Sequence, residues 1–242
     1  MMSWLPENIS TYGAKVDQIF YLIYYITNVT FVLVAACMIA FLIMYRHRDG
    51  RRATYTHGNT TLEIVWTIVP ALILIMLGFL SKSRWEEIKS PSHMPPADVM
   101  VRVTAKQFNW EVRYPGPDGK FDTDDDVQVD NDLHVPLNKV VRVFLRSKDV
   151  IHSFFVPQMR LKQDAVPGRE IMVWFQATKA GQYEIPCAEL CGFGHSGMKG
   201  ALYVQNPADY EQWRKEQWPQ TAEAAPAAPA PVVAATSDST RG

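Results

Sequence analysis

Between Asp17 and Arg46 the chain carries no charged side chain, a run of about 28 residues. Roughly 20 apolar residues of helix span the hydrocarbon core of a bilayer, so this run is long enough to cross one. A second uncharged run, Ile64 to Ser81, is about 18 residues long, near the lower limit for a span. As core helices of a soluble domain, runs this long and apolar all round would leave no polar face for water. Pro70 lies inside the second run, where a membrane helix tolerates it. The sequence therefore predicts a two-helix transmembrane hairpin over residues 18–82.

The intervening loop sets the orientation. Residues 46–58 hold Arg46, Arg48, Arg51 and Arg52 against Asp49, while the N-terminal segment holds Lys15 alone. Positive charge stays inside, which makes the loop cytoplasmic and puts both termini outside. Residues 1–17 then form an external N-terminal segment. They lack a basic region ahead of an apolar core, so no secretory signal peptide is read there. The expected location is a bacterial-type inner (plasma) membrane, with two spans and the bulk of the chain on the outer, periplasmic side.

Past the hairpin the composition changes. Residues 83–97 contain Pro91, Pro95 and Pro96 and read as a connector. From residue 98 the pattern is that of strands: Val99, Val101 and Val103 alternate with Met100, Arg102 and Thr104. Val141 to Arg146 and Ile171 to Phe175 are rich in β-branched and aromatic residues. Short strands at this spacing predict an all-β sandwich over 98–220. Residues 207–218 read as a short amphipathic helix. The Ala/Pro-rich stretch 221–242 lacks the apolar content to offset its ordering entropy and reads as a disordered tail. A net charge of −1 gives no global field toward nucleic acid. Three cysteines are too few for a disulfide scaffold, and Cys37, within an apolar run, reads as a small hydrophobe.

The chemistry concentrates in Cys187-Ala188-Glu189-Leu190-Cys191-Gly192-Phe193-Gly194-His195-Ser196-Gly197-Met198. Two thiols, an imidazole and a thioether fall in one loop whose glycines permit tight folding. Soft sulfur and imidazole donors favour copper or zinc over hard cations, and a weak methionine ligand is a copper habit. The bland alternative is a glycine-rich turn closed by a Cys187–Cys191 disulfide. One more ligand must come from elsewhere, and His152, in Asp149-Val150-Ile151-His152, is the best candidate.

Together these segments resemble the binuclear copper (CuA) site of the cytochrome c oxidase subunit II family. The pattern Cys-x-x-x-Cys-x-x-x-His-x-x-Met, with Glu between the cysteines and an earlier His after Asp-Val, is complete here. The resemblance implies a cupredoxin-like Greek-key fold for the sandwich. It implies that Cys187 and Cys191 bridge two coppers, that His152 and His195 each bind one, and that Met198 and the Glu189 carbonyl are weak ligands. It further implies that the Glu189 carboxylate helps hold a magnesium shared with subunit I. Such a centre relays single electrons from a cytochrome c-type donor, within a supercomplex in some settings, to haem in subunit I. Subunit I would reduce O2 to water with proton pumping, alongside subunit III.

Three further segments carry the resemblance. Glu63, in Glu63-Ile64-Val65-Trp66-Thr67-Ile68-Val69-Pro70, matches an acid at the mouth of a proton-uptake channel. Gln107-Phe108-Asn109-Trp110 matches the aromatic electron-entry segment at Gln107 and Trp110, with Phe108 in place of the usual tryptophan. Lys162-Gln163-Asp164-Ala165-Val166-Pro167-Gly168-Arg169 matches a run near the haem face of subunit I. Apart from these, residues 118–132 hold seven aspartates and one lysine. A solvated hairpin tip is the plain reading. A docking patch built on Asp122, Asp124, Asp125 and Asp126 for a basic donor is the functional one. The EF-hand template fails, because Val127 and Leu133 occupy the positions that need Gly and Glu. The same copper relay also serves some nitric oxide reductases. A quinol oxidase subunit typically lacks these ligands, and a structural subunit or copper carrier would transfer no electrons.

Overall fold

The computed structural model describes residues 5–218; the stretch expected as a tail, 221–242, lies outside the described residues. Helix α1 runs Gly13–Met44 (32 residues) and α2 runs Thr60–Lys89 (30 residues), continuous through Pro70. At 1.5 Å per residue they are about 48 and 45 Å long, more than the roughly 30 Å hydrocarbon core. Both therefore project beyond the apolar runs. Gly13 is the one buried residue on the two helices, so their apolar side chains face outward, as lipid-exposed spans must. Asn59 caps α2 by accepting from the Leu62 N–H.

Helix α2 overrides part of the expected connector. Residues 83–89 are helical, supported by the Lys82–Glu86 and Arg84–Glu87 pairs on two sides of the helix. The helix stops at Ser90, whose extended conformation is what a following Pro91 demands.

The sandwich places β1 (Val99–Lys106), β2 (Asn109–Tyr114), β3 (Val127–Asp130), β5 (Val140–Ser147) and β8 (Ile171–Gln176) in one sheet, ordered β3-β2-β1-β5-β8. Facing it are β4 (Asp132–Pro136), β9 (Gly181–Pro186) and β10 (Lys199–Gln205), ordered β4-β10-β9. The pair β6 (His152–Val156) and β7 (Leu161–Ala165) joins that layer through a bridge from Phe154 to Cys187. The β1/β5 and β4/β10 pairs are parallel, the crossovers of a Greek key. The molecule is thus a two-helix hairpin followed by an all-β cupredoxin-like sandwich. Alternate residues of β1 and β5 (Val101, Val103, Val143, Leu145) meet Leu133, Val135 and Leu202 in the core. Each fully buried aliphatic side chain there contributes about 1.5–3 kcal/mol.

Tyr114 ties the end of β2 to the β4 edge: its hydroxyl accepts from the His134 N–H at 2.6 Å and donates to the His134 carbonyl at 3.1 Å. Tyr114→Phe strands both groups and is expected to cost about 1–3 kcal/mol, read as a lower thermal midpoint of the detergent-solubilised chain.

The N-terminal segment is strapped to the sandwich. The Ile9 N–H donates to the Gln158 carbonyl and the Ile9 carbonyl accepts from the Thr178 N–H. Asp17 takes two bonds from Arg160, at 2.7 and 3.1 Å. The Trp174 indole donates to the Ile88 carbonyl at the end of α2. Both helices are therefore anchored to the domain they carry.

Candidate metal centre

Strands β9 and β10 are zipped to the register Pro186–Lys199, so residues 187–198 form the closed loop between them. The Cys187 N–H donates to the Met198 carbonyl at 3.0 Å and fastens its base. Inside, the His195 N–H reaches the Gly192 carbonyl and the Met198 N–H reaches the His195 carbonyl, both at 3.1 Å. These turns fold the loop inward and bring Cys187 and Cys191 to a Sγ–Sγ separation of 3.9 Å. A disulfide requires about 2.05 Å, so the disulfide alternative is discarded.

The other donors stand at similar spacings. His152 Nδ1 is 3.9 Å from Cys187 Sγ, and His195 Nδ1 is 3.6 Å from Cys191 Sγ. Met198 Sδ is 3.8 Å from Cys191 Sγ, and the Glu189 carbonyl oxygen is 3.3 Å from Cys187 Sγ. Donors bound tetrahedrally to one ion at about 2.0–2.3 Å lie about 3.3–3.8 Å apart. The set therefore has the spacing of metal ligands. His152, Cys187 and Cys191 are all buried, with donor atoms within 4.8 Å of one another; His195 is half-buried on the outer side of the loop. Six donors exceed one tetrahedral ion, and each thiol has its own imidazole. The soft composition fits copper. Burial pushes the Cys191 thiol up to about 11, and the neighbouring Cys187 adds to this. An incoming cation must displace these protons, which couples metal binding to proton release.

A carboxylate that the sequence reading did not single out orients the buried histidine. Asp149 Oδ1 lies 2.8 Å from His152 Nε2, leaving Nδ1 turned toward Cys187. Asp149 also accepts from the Val150 and Gln107 N–H groups, each at 2.7 Å. Burial works to raise its pKa, but the bonds from His152, Gln107 and Val150 outweigh burial and hold it below the usual carboxylate range. A ligand histidine whose far nitrogen meets a carboxylate is the usual outer-shell arrangement at metal sites. The signal available was an acid three residues before the candidate ligand.

The β1–β2 turn braces the loop from the other side. Gln107 Nε2 donates to the Cys191 carbonyl, and the Phe108 ring packs against Gly192 and Gly194 of the loop. A Cβ on Gly194 would sit 2.5 Å from Phe108 Cδ2, and one on Gly192, whose φ is +134°, would sit 2.6 Å from Gln107 Nε2. Gly194→Ala should therefore push the ring off the loop and lower copper retention. Phe108→Ala in the same chain should restore part of it, and copper content after gel filtration checks both.

Phe108 is 39 % exposed, and Val150, Ile151, Leu190 and Phe193, on the segments that carry the donors, are exposed as well. Trp110 is 1 % exposed and sits edge-on behind His152, ring centroids 6.2 Å apart. Of the two expected entry aromatics, then, Phe108 reaches the surface and Trp110 is core. The Glu189 side chain is exposed while its carbonyl faces Cys187.

The remaining candidates lie elsewhere. Glu63 is in the first turn of α2, about 39 Å of helix rise from Lys89 and the sandwich. The acidic loop leaves the far end of β2 from Phe108, about 17–20 Å away along the strand. Asp122 accepts from Arg102 at 2.8 Å and Arg113 at 3.0 Å. Asp126 accepts from the Asp122 N–H. Asp124 is exposed and Asp125 half-buried. In the Lys162–Arg169 run, Asp164 accepts from the Ser153 hydroxyl at 2.7 Å, beside the candidate ligand His152.

Similarity to known proteins agrees with this geometry. A family model described as cytochrome c oxidase subunit II, periplasmic domain, matches residues 115–204, and one described as its transmembrane domain matches residues 3–83. The cytochrome c oxidase subunit 2 of Thermostichus vulcanus is 33 % identical over 264 residues, covering 88 % of this chain and 78 % of that protein. The chain belongs to the cytochrome c oxidase subunit II family. The alternative cytochrome c oxidase subunit 2 of Bradyrhizobium diazoefficiens is 32 % identical, covering 88 % of this chain and 83 % of its own. The crystal structure of the periplasmic domain of subunit II of cytochrome oxidase from Bradyrhizobium japonicum is 35 % identical. It covers 52 % of this chain and 98 % of its own, with a TM-score of 0.47. As a subunit II, the chain is part of a haem–copper oxidase, an oxidoreductase complex with a subunit I partner. It is a membrane protein with two spans, and its family implies copper binding.

Proposed function

We propose that this chain is the electron-entry subunit of a respiratory terminal oxidase, built around a binuclear CuA centre. The observation that carries the reading is the paired donor geometry: two thiols 3.9 Å apart, each with its own imidazole at 3.6–3.9 Å. A binuclear copper group held there would supply a site that takes up and gives out one electron at a time with little nuclear movement. Cys187, Cys191, His152, His195, Met198 and the Glu189 carbonyl would hold it. Asp149 fixes the His152 ring, Gln107 and Phe108 brace the cysteine loop, and burial of His152, Cys187 and Cys191 keeps water from the donors.

In this reading residues 18–82 are the anchoring hairpin and residues 98–220 the copper domain, facing the periplasm with both termini. A cytochrome c-type donor meets the exposed ring of Phe108, and the electron passes to haem in subunit I, where O2 is reduced to water with proton pumping. Glu63, on the opposite membrane face, serves proton uptake. The Glu189 carboxylate, exposed toward a partner surface, contributes to a magnesium shared with subunit I, and subunit III completes the core complex. The acidic loop is a secondary docking element for a basic donor. Asp124 is exposed and, like Asp125, forms no ion pair among the described residues, whereas Asp122 and Asp126 are engaged within the loop and with Arg102 and Arg113.

Rapid mixing of the assembled complex with reduced cytochrome c tests the entry route. Phe108→Leu, which keeps an apolar side chain against Gly192 and Gly194, should slow donor oxidation severalfold while leaving copper content and turnover with a small artificial reductant intact. Equal slowing with both reductants would remove Phe108 from the donor interface.

A further inference from the structure

Where the hairpin meets the sandwich, a cavity of about 340 Å³ opens between the first turns of α1, the last turns of α2 and the start of β7. Its walls include Val16, Ile19, Phe20, Trp85, Ile88 and Leu161. Its rim carries Arg84, Lys89, Arg160 and Lys162, and among the described residues no carboxylate lines it.

The four cations are not equivalent. Arg160 is engaged by Asp17 and by the Pro6 and Pro157 carbonyls. Arg84 leans on Glu87 at 3.4 Å. Lys89 forms no ion pair among the described residues: its Nζ donates to Gln163 Oε1 at 2.9 Å and to the Lys162 carbonyl at 3.5 Å. Burial lowers the Lys89 pKa, and Asp164 only partly opposes this from longer range. A desolvated ammonium held by neutral oxygens gains from an anion. Lys162 is exposed, its Nζ lying 4.6 Å from the centroid of the Phe155 ring.

Depth supplies the second half of the argument. Ile19 and Phe20 open the first uncharged run and Ser81 closes the second. Arg84 lies about 4 Å of helix rise beyond Ser81, within the headgroup layer, and Lys89 about 12 Å beyond it, at the outer edge of that layer, within a lysine side chain's reach of the phosphates. The cavity is apolar at the level of the acyl chains and cationic at the level of the phosphates.

We infer that this cavity holds one phospholipid with an anionic headgroup. Its phosphate lies against Lys89 and Lys162, and its acyl chain lies along Ile19, Phe20 and Trp85. A zwitterionic headgroup would bring its own cation against the same rim. A free phosphate would leave the apolar walls unused. The lipid thereby wedges the helices against β7, next to the strand that supports His152. The inference rests on the hairpin spanning the membrane and not on the electron route.

Native mass spectrometry of the assembled oxidase complex, reconstituted in nanodiscs of phosphatidylglycerol or phosphatidylcholine, tests it. The wild-type complex should retain one more phosphatidylglycerol than Lys89→Met after detergent washing, with retention falling about fivefold or more on loss of one basic contact. Lys89→Arg should restore it. Lys162→Met should lower retention similarly and serves where Lys89→Met does not assemble. Added inorganic phosphate should leave the lipid bound. Equal retention in the wild type and both variants, as when a partner subunit fills the cavity, overturns the inference. So does equal retention of phosphatidylcholine, or displacement by inorganic phosphate.

Discussion

Replacing Cys191 with serine is expected to reduce electron transfer from a reduced cytochrome c-type donor by more than about 100-fold, beyond the usual loss for an outer-shell metal partner. Cys191 Sγ is neighbour to three other donors: Cys187 at 3.9 Å, His195 at 3.6 Å and Met198 at 3.8 Å. Cys187 Sγ likewise neighbours three, His152, the Glu189 carbonyl and Cys191, so the two thiols are the hub of the site. A serine oxygen is harder and shorter, so it neither attracts copper as a thiolate does nor reaches both imidazole niches. Copper per complex should fall together with the rate, while haem content and assembly stay near wild type. Unchanged turnover in an assembled Cys191→Ser complex would sink the relay and favour a structural or copper-carrying role.

Asp149→Ala is expected to weaken copper retention about 10- to 100-fold, the range for loss of a carboxylate behind a ligand histidine. His152 is fully buried, so its Nε2 has no water to fall back on once Asp149 is gone. The same substitution strands the Gln107 N–H and so loosens the turn that braces Cys191 through the Gln107 side chain. Two ligand loops are released by one change. Copper loss to a competing chelator, with far-ultraviolet circular dichroism to show that the sandwich persists, measures it. Loss at the wild-type rate would mean that packing alone orients His152.

Much of this architecture was legible in the chain because its signals are local. Lack of charge marked both spans, and alternation marked β1, β5 and β8. Soft donors spaced within one loop marked the candidate metal centre. What escaped depends on contacts between distant segments. Residues 83–89 look like part of a proline-rich linker by composition, yet side-chain pairing and docking of Ile88 on Trp174 carry the helix to Lys89. Asp149 enters the sequence pattern only as the first residue of the Asp-Val dipeptide, and its contact with the His152 ring appears only in the folded chain. The glycines of the metal loop could be read as flexibility. For Gly194 the tighter reason is the Phe108 ring, and for Gly192 the Gln107 amide, both arriving from a turn more than 80 residues away. The acidic loop reads as one patch, but Arg102 and Arg113 reach into it from β1 and β2.

Electron paramagnetic resonance on the copper-loaded complex, with copper counted per chain, tests the central claim most directly. The account predicts two coppers in this subunit sharing one unpaired electron, seen as a seven-line hyperfine pattern that collapses in Cys191→Ser. One copper with a localised four-line signal, or none, would contradict a binuclear relay and leave the chain a different kind of copper protein on the same scaffold.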